Sequence, residues 1–394
     1  MSHDVIIMGC RGYSRNYGGW ETLVHNLIDN WPDKTTRFFV LELSHNKEEK
    51  EHEVINGVHC IRIFVKRGGA AEMLIMDTLA LARMKKIIKQ YGIVKPILLD
   101  LGVRFGEMYW FVKPALNRLG VTVVSNSDGM GWKRTKYSKL IAYRNRFTAN
   151  IAYRFGVDWL VNDCEVMQEY YENKWRGRKK HPKMKMITYG TYKAPVLDGV
   201  MPEKVKKYFD GNGIVPGKYY LMINRFVPEN SYEMIIREFV ASDTECDFVI
   251  VCNKDHESKY YKKLSELIPF EKDKRIKFVG TMYDREILAY LRQCARGYIN
   301  GHTLGGTNPG LLEALATTDV NLVRDCSFSR EGAGDTALYF SDAEPLRDLL
   351  RKTDKMTDDE RKALGRRAKE RMEKLYTWDH VCQEYYELFE KIGK

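Results

Sequence analysis

Three stretches of the 394-residue chain bring glycines, carboxylates and cations together at spacings that suit phosphate and hydroxyl chemistry. The first runs from Met8 to Glu21 and reads MGCRGYSRNYGGWE. It follows an apolar run and ends where an amphipathic pattern begins. Its glycines allow backbone N–H groups to approach a phosphate closely, and a helix N-terminus attracts anions. The pattern is neither GxGxxG nor GxxxxGK[ST], so the residues also suit a plain turn that needs positive φ. The second stretch, Ser125 to Arg134, reads SNSDGMGWKR and follows another β-rich run. It places Asp128 where a parallel sheet displays its working residues, and a carboxylate there can align or deprotonate a hydroxyl. An Asp-Gly pair also makes a self-bonded turn. Trp132, Lys133, Arg134 and Lys136 mix an aromatic ring with cations, a composition that grips a pyrophosphate or forms the exposed basic start of a helix. The third stretch, His302 to Leu315, reads HTLGGTNPGLLEAL. Asn308 is a natural N-cap with Pro309 at the first helical position. Gly305, Gly306 and Thr307 then form a phosphate-sized nest ahead of it, and Glu313, one turn in, suits ribose hydroxyls. A well-capped core helix with a solvated glutamate fits the same residues.

Short apolar runs alternating with amphipathic stretches must position these groups. In the first half the strand-like runs are Val5–Gly9, Phe38–Leu43, Ile97–Leu101, Val121–Ser125, Trp159–Val161 and Met186–Thr188. Helical patterns lie at Glu21–Asn30, Ala71–Tyr91, Tyr109–Leu119 and Tyr137–Tyr153. The second half restarts the alternation with Tyr220–Ile223, Phe248–Cys252, Ile276–Val279, Tyr298–Ile299 and Asn321–Val323. Such alternation predicts an α/β fold with parallel sheets covered on both faces. The proline- and glycine-rich segment Thr191–Gly217 reads as the boundary between two domains. Two helical stretches, Asp358–Leu375 and Trp378–Lys391, close the chain, and the last carries an apolar stripe that must pack on something.

The net charge of +11 is uneven: residues 1–200 carry an excess of +12 and the remainder −1. An anionic partner for the first half follows, as does a merely solvated face. Arg104, Phe105, Tyr109, Trp110 and Phe111 mix cations and aromatics in a way that suits a membrane interface. Eight scattered cysteines without a CxxC pair read as reduced core thiols. No run reaches the ~18 apolar residues needed to span a bilayer, and the N-terminal residues carry no leader pattern. The expectation is a soluble cytoplasmic protein.

The chain resembles the retaining GT-B glycosyltransferases of family 4, and within them the bacterial rhamnosyltransferases that build surface polysaccharides. DVIIMGCRGYSRNYGGWETLVHNL, SNSDGMGWKRTKYSKL, YYLMINRFVPENSYEMIIREF and FVGTMYDREIL…GHTLGGTNPGLLEALA carry the resemblance. It implies two Rossmann-like domains facing each other across a cleft. Residues 1–195 would bind the acceptor and residues 196–377 the nucleotide sugar, with the helix over 378–394 packing back on the first domain. Gly18 and Gly19 match a glycine turn at the donor phosphates, and Arg225 a cation that neutralises the diphosphate. Thr307 and Asn308 match a backbone cradle, Glu313 a ribose-holding glutamate, and Thr281 to Tyr283 the stretch along the base. Gly305 stands where the broad family has a first glutamate, and Asn230 where a second basic residue is common. Both departures agree with the rhamnosyltransferase-like branch.

These readings combine into one expectation. The protein moves a sugar, rhamnose from dTDP-rhamnose or a related UDP-linked donor, onto a lipid-diphosphate-linked saccharide. Arg225 stabilises the leaving diphosphate, Asp128 serves the acceptor hydroxyl, and Tyr17, Trp132, Lys133, Arg134 and Lys136 hold the acceptor. No DxD signature stands in a suitable loop, so no metal cofactor is expected. The enzyme would sit peripherally on the anionic inner face of the plasma membrane, without nucleic acid as a partner. A UDP-sugar 2-epimerase of the same fold would instead need several acidic and histidine residues in the cleft. A basic nucleic-acid-binding protein would need its charge along one helix or sheet face.

Overall fold

The computed structural model describes residues 3–14, 18–66, 69–102, 106–127, 129, 138–195, 200–253, 258–342 and 344–393. The chain divides into two compact units, residues 1–190 with 378–394 and residues 191–377. Each is a parallel sheet between helices.

The first unit contains β1 (Asp4–Met8), β2 (Arg37–Ser44), β3 (His52–Ile55), β4 (Val58–Phe64), β5 (Ile97–Leu101), β6 (Thr122–Asn126), β7 (Trp159–Asn162) and β8 (Lys183–Met186). Its helices are α1 (Gly19–Asp29), α2 (Glu72–Gln90), α3 (Gly106–Arg118), α4 (Lys139–Ile151) and α5 (Glu165–Trp175). The sheet order is β3-β4-β2-β1-β5-β6-β7-β8. β1 and β5 are therefore the neighbours at which the winding reverses. β1 and β5 are buried along their whole length, as a two-sided parallel sheet requires.

One pair departs from the parallel rule. β3 and β4 are antiparallel, joined by Asn56-Gly57, both at positive φ (51° and 83°). That dipeptide is the two-residue turn whose twist matches a hairpin, and the sequence reading had assigned no strand there. The final strand of this sheet also lies earlier than expected, at Lys183–Met186 rather than Met186–Thr188. It pairs only with β7, and its alternating lysines suit an exposed edge that must not template further strands.

The second unit contains β9 (Tyr219–Ile223), β10 (Asp247–Val251), β11 (Ile276–Phe278), β12 (Gly297–Asn300), β13 (Asn321–Arg324) and β14 (Leu338–Phe340). Its helices are α6 (Glu203–Gly211), α7 (Tyr232–Val240), α8 (Lys259–Leu267), α9 (Arg285–Gln293), α10 (Pro309–Thr317), α11 (Ser327–Ala333), α12 (Leu346–Lys355) and α13 (Asp358–Leu375). All strand pairs are parallel, in the order β11-β10-β9-β12-β13-β14, so the winding reverses between β9 and β12. The period-2 alternation of strand side chains sorts the core. Tyr220, Met222, Phe248 and Ile250 face one apolar cluster with α7, α8 and α12. Tyr219, Leu221, Val249 and Val251 face the other with α6, α9 and α10.

The last helix, α14 (Trp378–Gly393), returns to the first unit. Its Val381, Cys382, Tyr385, Leu388 and Phe389 join the cluster formed by β1, β2, β5 and α1. The Asn126 amide donates to the Tyr385 hydroxyl at 3.0 Å, tying the helix to the end of β6. The eight cysteines form no disulfide.

Candidate active site

In a doubly wound sheet, two loops diverge at the strands where winding reverses and leave a crevice beyond their carboxyl ends. In the second unit those loops are Asn224–Ser231 after β9 and Gly301–Asn308 after β12. The second leads into α10. Asn308 caps that helix, its Oδ1 accepting from the Leu311 N–H at 3.1 Å, and Pro309 occupies the first helical turn. Such a cap stabilises a helix by ~1 kcal/mol. Ahead of it Gly305 sits at φ +123°, a conformation that residues with a Cβ rarely adopt. The half-buried Gly305, Gly306 and Thr307 thus lead into a helix N-terminus, where backbone dipoles favour an anion.

The two loops are knitted together. The buried Asn230 amide donates to the Arg225 carbonyl at 2.7 Å, and its Oδ1 meets His302 Nδ1 at 2.9 Å. Because the amide nitrogen is committed as a donor, its oxygen accepts, which places a proton on Nδ1 of His302. The Thr303 N–H and hydroxyl both donate to the Glu229 carbonyl at 3.1 Å, and the Ser231 hydroxyl to the Gly301 carbonyl at 2.8 Å. Gly301 permits this approach, since a Cβ there would lie 2.2 Å from the Asn230 carbonyl oxygen. The result fixes the backbone of Arg225 against the loop that holds the cradle. The Arg225 side chain is exposed and makes no ion pair among the described residues, so it stands ready for an external anion.

Glu313 lies on α10 with one carboxylate oxygen held by Arg292 of α9. Arg292 is buried, so the pair is a charge-assisted contact that fixes the carboxylate and leaves its second oxygen to accept elsewhere. Nothing in the α9 sequence set Arg292 apart from the chain's other cations. Asn300, at the end of β12, is fully buried and its amide makes no hydrogen bond among the described residues. Buried polar groups are rarely left so, and this one marks the same crevice as polar. Thr281 and Tyr283 are exposed in the coil after β11.

The first unit carries its glycine turn at its own reversal point, after β1. Two buried carboxylates already occupy the turn. Glu21 Oε1 accepts from the Arg11 N–H at 2.7 Å, and Glu42 accepts from the Ser14 N–H at 2.8 Å and its hydroxyl at 2.9 Å. Arg11 in turn pairs with Glu72 at 2.7 Å. The amides of residues 11 and 14 are thereby committed. Gly18 is the N-cap of α1, and the Glu21 carboxylate approaches it as well. Gly19 has open space where a Cβ would point. Glu42 had a visible signal, a lone carboxylate inside the apolar run FFVLELS.

Tyr109 does not join an interfacial group. It is buried, and its hydroxyl donates to Asp100 Oδ2 at 2.5 Å; burial and that carboxylate push the phenol well above its ordinary pKa. His25 packs against Tyr13 with the rings tilted by 33° and their centroids 4.5 Å apart. Tyr17, Arg104, Phe105, Asp128, Trp132, Lys133, Arg134 and Lys136 lie outside the described residues.

Comparison with known proteins fits this architecture. Residues 2–192 match a family described as a domain of unknown function (DUF1972). No curated protein matches in sequence. Among solved structures, the chain is similar to a sucrose-phosphate synthase from Thermosynechococcus elongatus, with a TM-score of 0.77 and 14% identity over 100% of this chain and 99% of that one. It is also similar to a glycosyltransferase from Rickettsia africae ESF-5, with a TM-score of 0.71, 12% identity and the same coverage. An α,α-trehalose-phosphate synthase (UDP-forming) from Burkholderia xenovorans, in complex with glucose-6-phosphate, matches over 100% of both chains, with a TM-score of 0.69 and 11% identity. The fold is that of the GT-B glycosyltransferases.

Proposed function

We propose that the protein is a retaining glycosyltransferase that takes rhamnose from dTDP-rhamnose, or a related sugar from a dTDP- or UDP-linked donor, and adds it to a lipid-diphosphate-linked saccharide. The observation that carries the reading is the second unit's crevice. A glycine nest and a capped helix N-terminus follow one central strand, and an arginine with no ion pair among the described residues follows its neighbour. Cations and oriented amides aimed where charge develops are the means of stabilising a departing diphosphate. The Glu313 carboxylate, oriented by Arg292, suits the ribose, and Thr281 to Tyr283 the base. Gly18, Gly19, Gly305, Gly306, Thr307 and Asn308 complete the donor site in this reading. The UDP-forming synthase among the solved neighbours supports a nucleotide diphosphate as leaving group.

In the proposed reaction the anomeric carbon–oxygen bond to the diphosphate breaks and the acceptor hydroxyl bonds to that carbon on the same face. The hydroxyl proton passes to the departing phosphate, with Asp128 orienting the acceptor and Tyr17, Trp132, Lys133, Arg134 and Lys136 holding it. The lack of a DxD signature in a suitable loop is the ground for expecting no metal. Surface polysaccharide synthesis at the inner face of the plasma membrane is the setting that a lipid-linked acceptor requires.

A hydrolysis and transfer screen with dTDP-rhamnose, UDP-glucose and related donors tests the reading. Slow donor hydrolysis, accelerated by a lipid-linked saccharide, is expected. A sugar-nucleotide product altered at C2 without any acceptor would identify an epimerase, and no turnover of any donor would contradict both enzyme readings.

A further inference from the structure

Two neighbouring helices of the first unit turn large apolar side chains to the outside. In α4 a pitch of about 100° per residue gathers Leu140, Tyr143 and Phe147 into an arc of about 60°. That arc faces outward, with Leu140 79% and Tyr143 69% exposed. The less exposed side carries Ala142, Asn145, Thr148 and Ala149. A helix of a globular protein has the opposite arrangement, with its apolar stripe toward the core. Its neighbour α3, which packs against it, keeps Tyr109 and Leu116 buried but also turns aromatic rings outward. Phe111 is 75% exposed and Trp110 is exposed, whereas Lys113 is buried and paired with Asp158. A monomer rarely leaves so much contiguous apolar surface uncovered.

The charges along α4 are of one sign. α4 contains no acidic residue. Lys139 and Arg146 flank the apolar arc on one side and Arg144 on the other. Beside Trp110, whose ring lies 5.3 Å from that of Phe155, Arg154 and Lys180 stand over the Phe155 ring at 4.8 and 5.4 Å. Aromatic and aliphatic groups at the centre of a face, with long cations rising along its flanks, match a bilayer interface: the apolar groups enter the acyl boundary while the cations reach phosphates. A soluble protein partner would meet the same apolar area, but nothing about it calls for cations on both flanks of the α4 arc.

We infer that the outward face of α3 and α4 is a docking surface for an anionic lipid bilayer. It names the surface through which a membrane-bound acceptor is reached. It rests on the reading of a membrane-attached enzyme and is independent of which sugar is moved.

The test is co-sedimentation of the full-length protein with phosphatidylcholine vesicles, with and without phosphatidylglycerol, at low and high salt. Wild type should bind the anionic vesicles and release from them as salt rises. Each surface cation contributes about a fivefold gain in partition, so R144E/R146E should lower binding at least twentyfold by removing two and repelling with two. F111S/F147S should lower it at least tenfold through lost apolar insertion. Both pairs are exposed, and binding is compared at a temperature where circular dichroism shows each variant folded. Nucleoside-diphosphate stabilisation, measured on the same samples, reports on the second unit and should persist in both variants. The proposal is overturned if wild type ignores anionic vesicles, or if both variants bind as wild type does. It is also overturned if light scattering finds a dimer that F111S/F147S dissociates, because the face is then a contact between copies.

Discussion

Asn230 shows how one residue organises the crevice. Its single amide joins the Arg225 backbone to His302, and so joins the two loops beyond β9 and β12. Asn230→Ala leaves the Arg225 carbonyl with the Val227 N–H as its remaining donor and takes the acceptor from the His302 ring N–H, which costs about 1–3 kcal/mol and raises the donor KM. Asn230→Asp keeps an acceptor for His302 but cannot donate to the Arg225 carbonyl, so it should recover part of the stability and little of the donor affinity. Thermal melts together with donor KM values check this; equal KM values in all three proteins would remove Asn230 from any part in donor binding. The nest, the cap and Glu313 were legible in the sequence because glycine, asparagine-proline and a carboxylate carry backbone meaning at fixed offsets. The roles of Asn230 and Arg292 were not, because Asn230 ties its loop to His302, 72 residues on, and Arg292 holds Glu313, 21 residues on, and nothing local marks an ordinary amide or cation for that task.

At the scale of elements, the periodic pattern located the strands that build both sheets, because buried parallel strands read as continuous apolar runs. It missed β3, β4 and β14, and it shifted β8. β3, β4 and β8 are edge or near-edge strands whose polar residues break the run, although Asn56-Gly57 announced the hairpin by its turn chemistry, and β14 is an edge strand of three residues, too short to show a period. The edge of the second sheet carries a device of its own. Arg275, just before β11, gives a paired contact to Asp273 at 2.6 Å and 3.0 Å and reaches the carbonyls of Ser242 and Thr244. The Arg275 guanidinium holds the Asp273 carboxyl below its ordinary pKa. A depressed carboxyl stabilises the fold above its unfolded pKa and loses that contribution as pH falls through its folded pKa. Asp273→Asn should therefore destabilise the protein by about 1–2 kcal/mol near neutrality, discounted for partial exposure. The difference should shrink as pH falls below the ordinary aspartate range and close once the wild-type carboxyl is itself protonated. A deficit that persists unchanged in acid would show that the contact does not depend on charge.

On the scale of the whole molecule, charge and chemistry divide along the chain. The near-neutral second half holds the nest, Arg225 and the Arg292–Glu313 pair, and the first half holds the +12 excess, part of it along α4. The return of α14 to the first unit was only half visible: its apolar stripe showed that it packs, while its partners on β1 and α1 are hundreds of residues away. No helix among the described residues is long and apolar enough to cross a membrane. The central claim is that the crevice beyond β9 and β12 binds a nucleoside diphosphate through Arg225 and the α10 N-terminus. The most direct measurement is a thermal-shift titration of wild type and Arg225→Gln with dTDP and UDP. One of the two nucleotides should stabilise wild type, by about 2.7 kcal/mol at a hundredfold excess over Kd. Arg225→Gln should melt like wild type when unliganded, because the side chain has no partner among the described residues, and should bind at least tenfold more weakly. Indifference of wild type to both nucleotides, or equal binding by the variant, would contradict the account.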